Sequence, residues 1–209
     1  MTRTRLALAA AGFAVFLTAC DQLFHVRTGT LVYHWGPQVA DQTVIVPLTF
    51  FVASLSMLDL GRRAGRVPGS WTSAATSVGV VTGAYLASGL VDPTLAGAYA
   101  VLLLIGWVVR VRHRATTGVA VVGLLVAFGG VLGEAALSAI GEFSYAHPDL
   151  LGVPWWLFPL YLHGSLAAVD VVQRLRERPP STGSMTPERN PAAGDSRKAA
   201  AVPNSSGVP

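Results

Sequence analysis

Two titratable side chains, Glu134 and His163, lie inside apolar stretches of this sequence. If both stretches are helices, a rise of about 1.5 Å per residue places the two side chains at comparable depth. Ionisable groups are costly inside a bilayer and usually mark a function there. A Glu–His pair could transfer protons, hydrogen-bond a hydroxyl or ester group of a lipid, or tie two helices together. The sequence leaves these three roles open.

Three further polar residues, Gln22, Tyr85 and Ser88, fall within or at the end of apolar stretches. Gln22 lies 112 residues before Glu134 (134 − 22), which is the spacing of an internal repeat described below. We therefore predict two polar points that flank one cavity, with these residues as candidate lipid contacts. Each of them could instead be a satisfied contact between helices.

Two carboxylates, Asp59 and Asp170, end apolar stretches and are each followed by arginine. They could pair with Arg62, Arg63 or Arg174 about one helical turn away. Their similar placement also makes them candidates for docking a partner protein.

Metal and cofactor chemistry has little support in the sequence. The histidines of the predicted outer loops, at positions 25, 34 and 147, are too scattered to predict a zinc site. The single cysteine, Cys20, excludes a disulfide framework and a CxxC redox pair. We predict no catalytic residues, no metal and no cofactor.

The composition is that of a membrane protein. The chain has 209 residues, of which 52% are hydrophobic and 12% charged, about half the charged fraction of a soluble domain. Several apolar runs approach the roughly 20 residues that a bilayer-spanning helix needs. We predict an all-α, polytopic membrane protein with six transmembrane helices, at about 5–24, 44–60, 71–90, 95–111, 117–139 and 154–173.

Charge alternates between successive loops. Arginines flank spans one, two, four and six on one side, whereas Arg27 is the only Arg or Lys on the other side, where acidic residues predominate. An excess of Arg and Lys marks the cytoplasmic side, so we predict a multi-pass protein of the cell membrane with both termini in the cytoplasm. This topology accounts for the basic clusters without a nucleic-acid partner.

The two ends of the chain differ in character. Residues 179–209 are rich in Pro, Ser, Gly and Ala, which predicts a disordered cytoplasmic tail after a membrane domain at 1–178. The N-terminus has a basic start, a short apolar core and the run Leu17-Thr18-Ala19-Cys20. That run resembles a bacterial lipoprotein signal, so processing before Cys20 is an alternative to an intact first helix.

A shift of 112 residues superposes two parts of the chain without gaps. Gly29, Leu31 and Tyr33 fall on Gly141, Phe143 and Tyr145, and Val46-Pro47-Leu48 falls on Phe158-Pro159-Leu160. Such self-similarity predicts a duplicated hairpin. Since four helices separate the equivalent spans, the first and last hairpins should run the same way through the membrane.

The last hairpin, YAHPDLLGVPWWLFPLYLHGSLAAVDVVQRL, resembles that of the Insig family. That family repeats a Tyr, a Pro-Asp-Phe-Leu run, a Trp-Leu pair, a Gly and a final Arg-Gln-Leu at matching spacing. The corresponding positions here are Tyr145, 148–151, 156–157, Gly164 and 173–175.

The resemblance implies six helices, cytoplasmic termini, a lipid-holding cavity that opens into the bilayer, and no catalysis. Animal members sense oxysterol and retain a sterol-regulated escort protein, and a bacterial relative is expected to hold a membrane lipid such as diacylglycerol. Animal members carry an aspartate before the basic loop between spans four and five, where residues 110–114 here supply only Arg and His as polar groups. Binding to an escort protein is therefore not implied.

Three functions follow as hypotheses. The first is a non-catalytic, Insig-like protein that holds a sterol or glycerolipid, with a homo-oligomer or another membrane protein as possible partner. The second is a membrane enzyme acting on a lipid or isoprenoid, with Glu134 and His163 as acid and base. The third, a small transporter, has the least support because the spans carry few polar residues.

Overall fold

The structure is a computed structural model that describes residues 1–65, 69–114 and 116–176. The predicted tail at 179–209 lies outside the described residues. Within them the chain forms six α-helices: α1 (Arg3–Asp21), α2 (Val46–Arg63), α3 (Trp71–Leu90), α4 (Ala96–Arg112), α5 (Thr117–Ala139) and α6 (Leu157–Arg176). Each predicted span matches one of these helices to within three residues at either end. The predicted all-α fold is confirmed.

The helices differ in how apolar they are, and their positions in the bundle explain why. By length and composition, Arg3–Val26, Pro93–Arg112 and Thr117–Ala139 are each able to cross a membrane. Large apolar side chains cover the outer faces of α4 and α5, as expected of helices that face lipid. Helix α6 is less apolar because it packs against α2, α3, α4 and α5 and buries most of its residues.

Close approach of α2 and α6 depends on small residues. A Cβ at Gly61 would lie 3.3 Å from the Cα of Val169, and one at Gly164 would lie 3.3 Å from Cε of Met57. These glycines leave the two helices little room for a larger side chain. The equivalent helices of the predicted repeat thus pack directly against each other.

Short strands join the two hairpins at one end of the bundle. Strand β1 (Leu31–Tyr33) pairs antiparallel with β4 (Phe143–Tyr145), while β2 (Gln38–Val39) pairs with β3 (Gln42–Thr43) within the first loop. In the first pair Leu31 lies opposite Tyr145 and Tyr33 lies opposite Phe143.

The β1–β4 register is symmetric under the 112-residue shift, because exchanging each residue for its equivalent reproduces the same pairs. The flanking bonds are also equivalent: the His34 N–H donates to the Glu142 carbonyl at 2.8 Å, and the Ala146 N–H donates to the Thr30 carbonyl at 3.0 Å. This is the pattern that a local twofold axis through the strand pair produces. The predicted relation of the two hairpins is confirmed.

Glycines end the outgoing helices in both halves. Gly29 and Gly141 have φ values of 73° and 77°, a left-handed conformation that glycine adopts at little cost. After α5 the Gly141 N–H donates to Ser138 O and the Glu142 N–H donates to Leu137 O, which is a Schellman motif. The motif turns the chain sharply into β4.

The first helix is an integral part of the bundle. Helix α1 packs along α2, and Cys20 lies near its end with 4% of its surface exposed. Processing before Cys20 would remove most of this helix and its buried residues, including Leu6, Ala10, Phe13 and Leu17.

Candidate functional site

A cavity of about 220 Å³ lies beneath the β1–β4 pair, and we call it the chamber. Its walls come from both hairpins, with a contribution from α3. Apolar groups of α2, α5 and α6 line most of it, among them Val46, Phe50, Leu137 and Leu157. Its polar groups are the carboxylates Asp21, Glu134 and Glu142, the imidazole of His25, and the hydroxyls of Tyr33, Thr49, Tyr85, Tyr145 and Tyr161.

On the side of the first hairpin, Asp21 is buried and contacts three side chains. Its Oδ2 accepts hydrogen bonds from the Tyr33 hydroxyl at 2.9 Å and from the Gln42 amide at 2.8 Å. The Nδ1 of His25 lies 3.4 Å from its Oδ1, and the Nε2 of His25 lies 2.8 Å from the hydroxyl of Ser88. This chain of contacts ties α1 to β1, β3 and α3.

On the side of the second hairpin, Glu134 accepts hydrogen bonds from the hydroxyls of Tyr145 and Tyr161. Tyr145 is the repeat equivalent of Tyr33 (145 − 112). In each half, therefore, a strand tyrosine donates a hydrogen bond to a helix carboxylate. Glu134 is only partly buried by the protein. The two halves therefore present similar acid–tyrosine pairs to one cavity.

The strand tyrosines are hydrogen-bond donors for a physical reason. Burial raises the pKa of Tyr33, and the nearby Asp21 carboxylate raises it further. Burial and the Glu134 carboxylate likewise raise the pKa of Tyr145. Both hydroxyls thus keep their protons and donate to the acids.

The prediction that Gln22 mirrors Glu134 is wrong, and a π-helical turn over Gln22–Val26 explains why. A π turn inserts one residue relative to an α-helix, whereas α5 stays α-helical as far as Ala139. The repeat offset is therefore 112 after the turn but 113 before it, which makes Asp21 the equivalent of Glu134. Gln22 instead donates from Nε2 to Ala40 O at 2.8 Å and lines a separate cavity beside α1.

The predicted pairing of Glu134 with His163 is also wrong. Glu134 contacts Tyr161, and two residues along an α-helix differ by about 200° in direction, so His163 points the other way from α6. The Nδ1 of His163 accepts from Arg110 at 2.9 Å, which leaves the Nε2 proton to bond Leu103 O at 2.9 Å. His163 thus joins α6 to α4 and does not line the chamber.

Of the two remaining lipid-contact candidates, Tyr85 lines the chamber directly, whereas Ser88 reaches it only through other residues. Tyr85 lines the chamber, and its ring centroid lies 4.9 Å from that of His25. Ser88 holds His25 and donates to Tyr85 O at 2.9 Å, so it supports the site from behind. Their predicted role as lipid contacts stays a prediction.

The two aspartates have different partners. Asp59 pairs with Arg62 and Arg63 on its own helix, with the Nε of Arg63 donating to Oδ2 at 2.9 Å. Asp170 is 2% exposed and binds Arg114, whose Nη2 lies 2.6 Å from Oδ2.

Asp170 also accepts from Ser77, which in turn accepts from Arg110. This buried network joins α3, α4 and α6 at the end of the bundle opposite the strands. Because Asp170 is buried, the predicted docking role has little support there, and it stays a prediction at Asp59.

Sequence reasoning missed most polar residues of the chamber, among them the ionisable Asp21, His25 and Glu142. The spacing of Asp21 and His25, four residues apart at the end of an apolar span, was a usable signal because such residues share a helix face. Glu142 gave no comparable signal, since it reads as an ordinary acid of an outer loop.

Two solved structures resemble this fold over most of its length. They are the crystal structure of a mycobacterial Insig homolog, MvINS from Mycobacterium vanbaalenii, and that of a cross-linked MvINS trimer carrying a cysteine substitution. Each matches with a TM-score of 0.76 and 24% sequence identity, covering 86% of this chain and 98% of the other. Neither a protein-family model nor a curated protein sequence matches the chain. The chain therefore has the fold of these mycobacterial Insig-homolog structures, that of an all-α polytopic membrane protein.

Proposed function

We propose that this protein is a bacterial member of the Insig family that holds a membrane lipid, a sterol or a glycerolipid such as diacylglycerol, without transforming it. The observation that carries the proposal is the chamber, which has polar groups beneath the strands and apolar walls on the membrane helices. An amphipathic lipid has a matching arrangement, with a polar head group followed by apolar hydrocarbon. The Insig-like fold supports the proposal independently of the chamber.

The volume of the chamber indicates how much of a lipid enters it. Pockets for drug-sized ligands occupy about 300–1,000 Å³, and the chamber offers about 220 Å³. It therefore accommodates a head group and the adjoining carbons, while the remaining hydrocarbon extends between helices into the bilayer.

An exit for that hydrocarbon lies between α2 and α5. Gly129 and Gly133 line the chamber and are exposed, and a Cβ at either glycine would meet no atom within 4 Å. Side chains are thus missing from this part of the wall. Phe50 of α2 also lines the chamber and is partly exposed.

An acid–base reaction on the lipid has less support. The pair that a lipid-transforming enzyme would use, Glu134 and His163, is not assembled, because His163 bonds Arg110 and Leu103 on α4. Glu134 is held by two tyrosine hydroxyls in an arrangement that the other half repeats at Asp21. We assign this arrangement to binding.

Partners and orientation complete the proposal. Exposed apolar residues on α4, such as Leu102 and Ile105, suit contact with lipid or with a second copy, and the MvINS variant was crystallised as a cross-linked trimer. We propose a homo-oligomer in the cell membrane with both termini cytoplasmic. Mass measurement of the purified protein in detergent tests the oligomer, and cysteine accessibility in intact cells tests the orientation.

The test of lipid binding is to change the shape of the exit. Gly133→Leu places a side chain at the exposed wall of the chamber, whereas Gly12→Leu places the same side chain on an exposed face of α1 that does not line it. Native mass spectrometry of the purified proteins should show lipid on the wild type and on Gly12→Leu, and at least about tenfold less on Gly133→Leu. Delipidated wild type that rebinds neither diacylglycerol nor sterol would refute the proposal.

A further inference from the structure

Glu142 is the one carboxylate of the chamber for which the described residues provide no hydrogen-bond donor. Its side chain lines the chamber, and the residue is 2% exposed. Its backbone is fixed, since its N–H donates to Leu137 O at 3.1 Å and its carbonyl accepts from the His34 N–H at 2.8 Å. The side chain is therefore held at the chamber by a backbone that has little freedom to move.

The other two carboxylates already have donors. Asp21 accepts from Tyr33 and Gln42, and Glu134 accepts from Tyr145 and Tyr161. A buried polar group without a partner costs about 1–3 kcal/mol relative to a satisfied one. Only a bound donor or water offsets this cost at Glu142.

The repeat shows that the architecture does not need an acid at this position. The equivalent of Glu142 in the first half is Thr30 (142 − 112). The Thr30 hydroxyl is satisfied locally, lying 2.9 Å from the hydroxyl of Thr28 and 3.3 Å from Gly89 O. The same turn thus forms with a small side chain satisfied by the protein in one half, and in the other with an acid that faces the chamber and has no donor among the described residues.

The charges around Glu142 restrict what can bind there. Among the described residues that line the chamber there is no Lys or Arg, and its basic side chain, His25, is engaged by Asp21 and Ser88. A phosphate group entering the chamber would meet carboxylates and find no cation to pair with. A neutral head group with a hydrogen-bond donor meets no such repulsion.

We propose that Glu142 accepts a hydrogen bond from a free hydroxyl on the head group of a neutral lipid, and that its charge makes the chamber reject lipids that carry a phosphate. This inference rests on the proposed function and names the residue that sets its specificity. It assigns discrimination to a position where the two halves of the repeat differ.

Two variants separate the two parts of the inference. Glu142→Gln removes the charge but keeps a carbonyl acceptor, whereas Glu142→Met removes the acceptor as well. Asp41→Asn is a control in the same set of outer loops, because Asp41 is exposed and does not line the chamber. Its left-handed φ of 64° is a conformation that Asn tolerates.

The experiment measures binding of three probes to delipidated protein in detergent: dioleoylglycerol with one hydroxyl, trioleoylglycerol with none, and dioleoyl phosphatidic acid. Wild type and Asp41→Asn should prefer dioleoylglycerol by about tenfold or more over the other two. Glu142→Gln should bind phosphatidic acid about tenfold more tightly than wild type does. Glu142→Met should lose the preference for dioleoylglycerol over trioleoylglycerol.

The outcomes distinguish this inference from the function beneath it. If wild type binds none of the three probes, the proposed function and this inference both fail. A different result is that the probes bind and Gly133→Leu weakens their binding, while the affinities do not depend on the residue at position 142. In that case the proposed function stands and this inference is overturned. Thermal unfolding of each variant confirms that loss of binding is not loss of fold.

Discussion

Both hairpins place a helix carboxylate against a strand tyrosine, but the surroundings of the two carboxylates differ. In the first half, Asp21 is enclosed by Tyr33, Gln42 and His25. In the second half, Glu134 has two tyrosine hydroxyls and stays partly open to the chamber. The acid–tyrosine pair and one further donor are common to both, while the burial of the carboxylate differs: Asp21 is 3% exposed and Glu134 is only partly buried.

This difference indicates that equivalent positions of the two halves have different roles. A carboxylate that is enclosed by protein side chains acts as a structural tie, whereas one that stays partly exposed has acceptor capacity left for a ligand. We therefore propose that the first half serves as a scaffold and the second as the binding surface. Glu142 against Thr30 follows the same division.

The largest expected effect compares the aspartates at the opposite end of the bundle. Asp170→Asn leaves Arg114, 18% exposed at its side chain, without its counter-charge. Removing one partner of a buried ion pair costs about 3–5 kcal/mol. Asp59→Asn breaks pairs on a helix surface, where such pairs are worth about 0.2–1 kcal/mol.

Equilibrium unfolding in mixed micelles measures both losses, with wild type as reference. Equal destabilisation by the two substitutions would mean that the buried network does not hold α3, α4 and α6 together. Asp59→Asn also tests docking, since a retained fold with a lost partner would assign that role to Asp59.

The second prediction concerns adjacent glycines of α5. A Cβ at Gly130 would lie 2.7 Å from the ring of Tyr161, while one at Gly129 would meet nothing within 4 Å. Replacing Gly by Ala within a helix stabilises it by about 1 kcal/mol, and overpacking costs about 1–3 kcal/mol. Gly129→Ala should therefore raise the unfolding free energy, whereas Gly130→Ala should lower it and displace Tyr161 from Glu134.

Thermal unfolding with and without added lipid checks this pair. If both alanine variants are stabilised, Tyr161 moves aside easily and is not fixed by its bond to Glu134.

The helices and their order were predictable because each is an apolar run bounded by glycine, proline or charge. The twofold relation was also predictable, because β1 and β4 kept their side-chain pattern. The repeat equivalent of Glu134, Asp21, could not be predicted from the sequence. A single extra residue in the π turn at Gln22–Val26 shifts the repeat offset by one for every earlier position.

The contacts of Asp170 and His163 were beyond sequence reasoning for a different reason. Their partners, Arg114 and Arg110, lie more than 50 residues away along the chain, and the charge pattern explains those arginines equally well as topology signals. Only the packing of α4 against α6 brings them together.

The third prediction tests the acid–tyrosine pairs directly. Tyr145→Phe leaves Glu134 with Tyr161 as its donor, and should lower the unfolding free energy by about 1–3 kcal/mol. Tyr33→Phe likewise leaves Asp21 with Gln42 and should cost about as much, roughly 1–3 kcal/mol. Tyr145→Phe should also weaken lipid binding, which Tyr33→Phe should leave nearly unchanged. A larger effect of Tyr33→Phe on binding would reverse the assignment of scaffold and binding surface.

The smallest effect expected is a dependence of stability on pH that comes from Glu142. Burial raises the pKa of Glu142 above its ordinary value, so the folded protein binds more protons than the unfolded chain between those two pKa values. The contribution of Glu142 to stability is therefore most favourable below the ordinary pKa, about 4.3, and is lost as pH rises through the raised pKa. Glu142→Gln, which cannot ionise, should lose this part of the pH dependence, whereas Asp41→Asn should keep it. The contrary outcome is that the unfolding free energies of wild type and Glu142→Gln change with pH in the same way. The acid would then be satisfied in the apo protein, and the difference between Glu142 and Thr30 would have no energetic consequence.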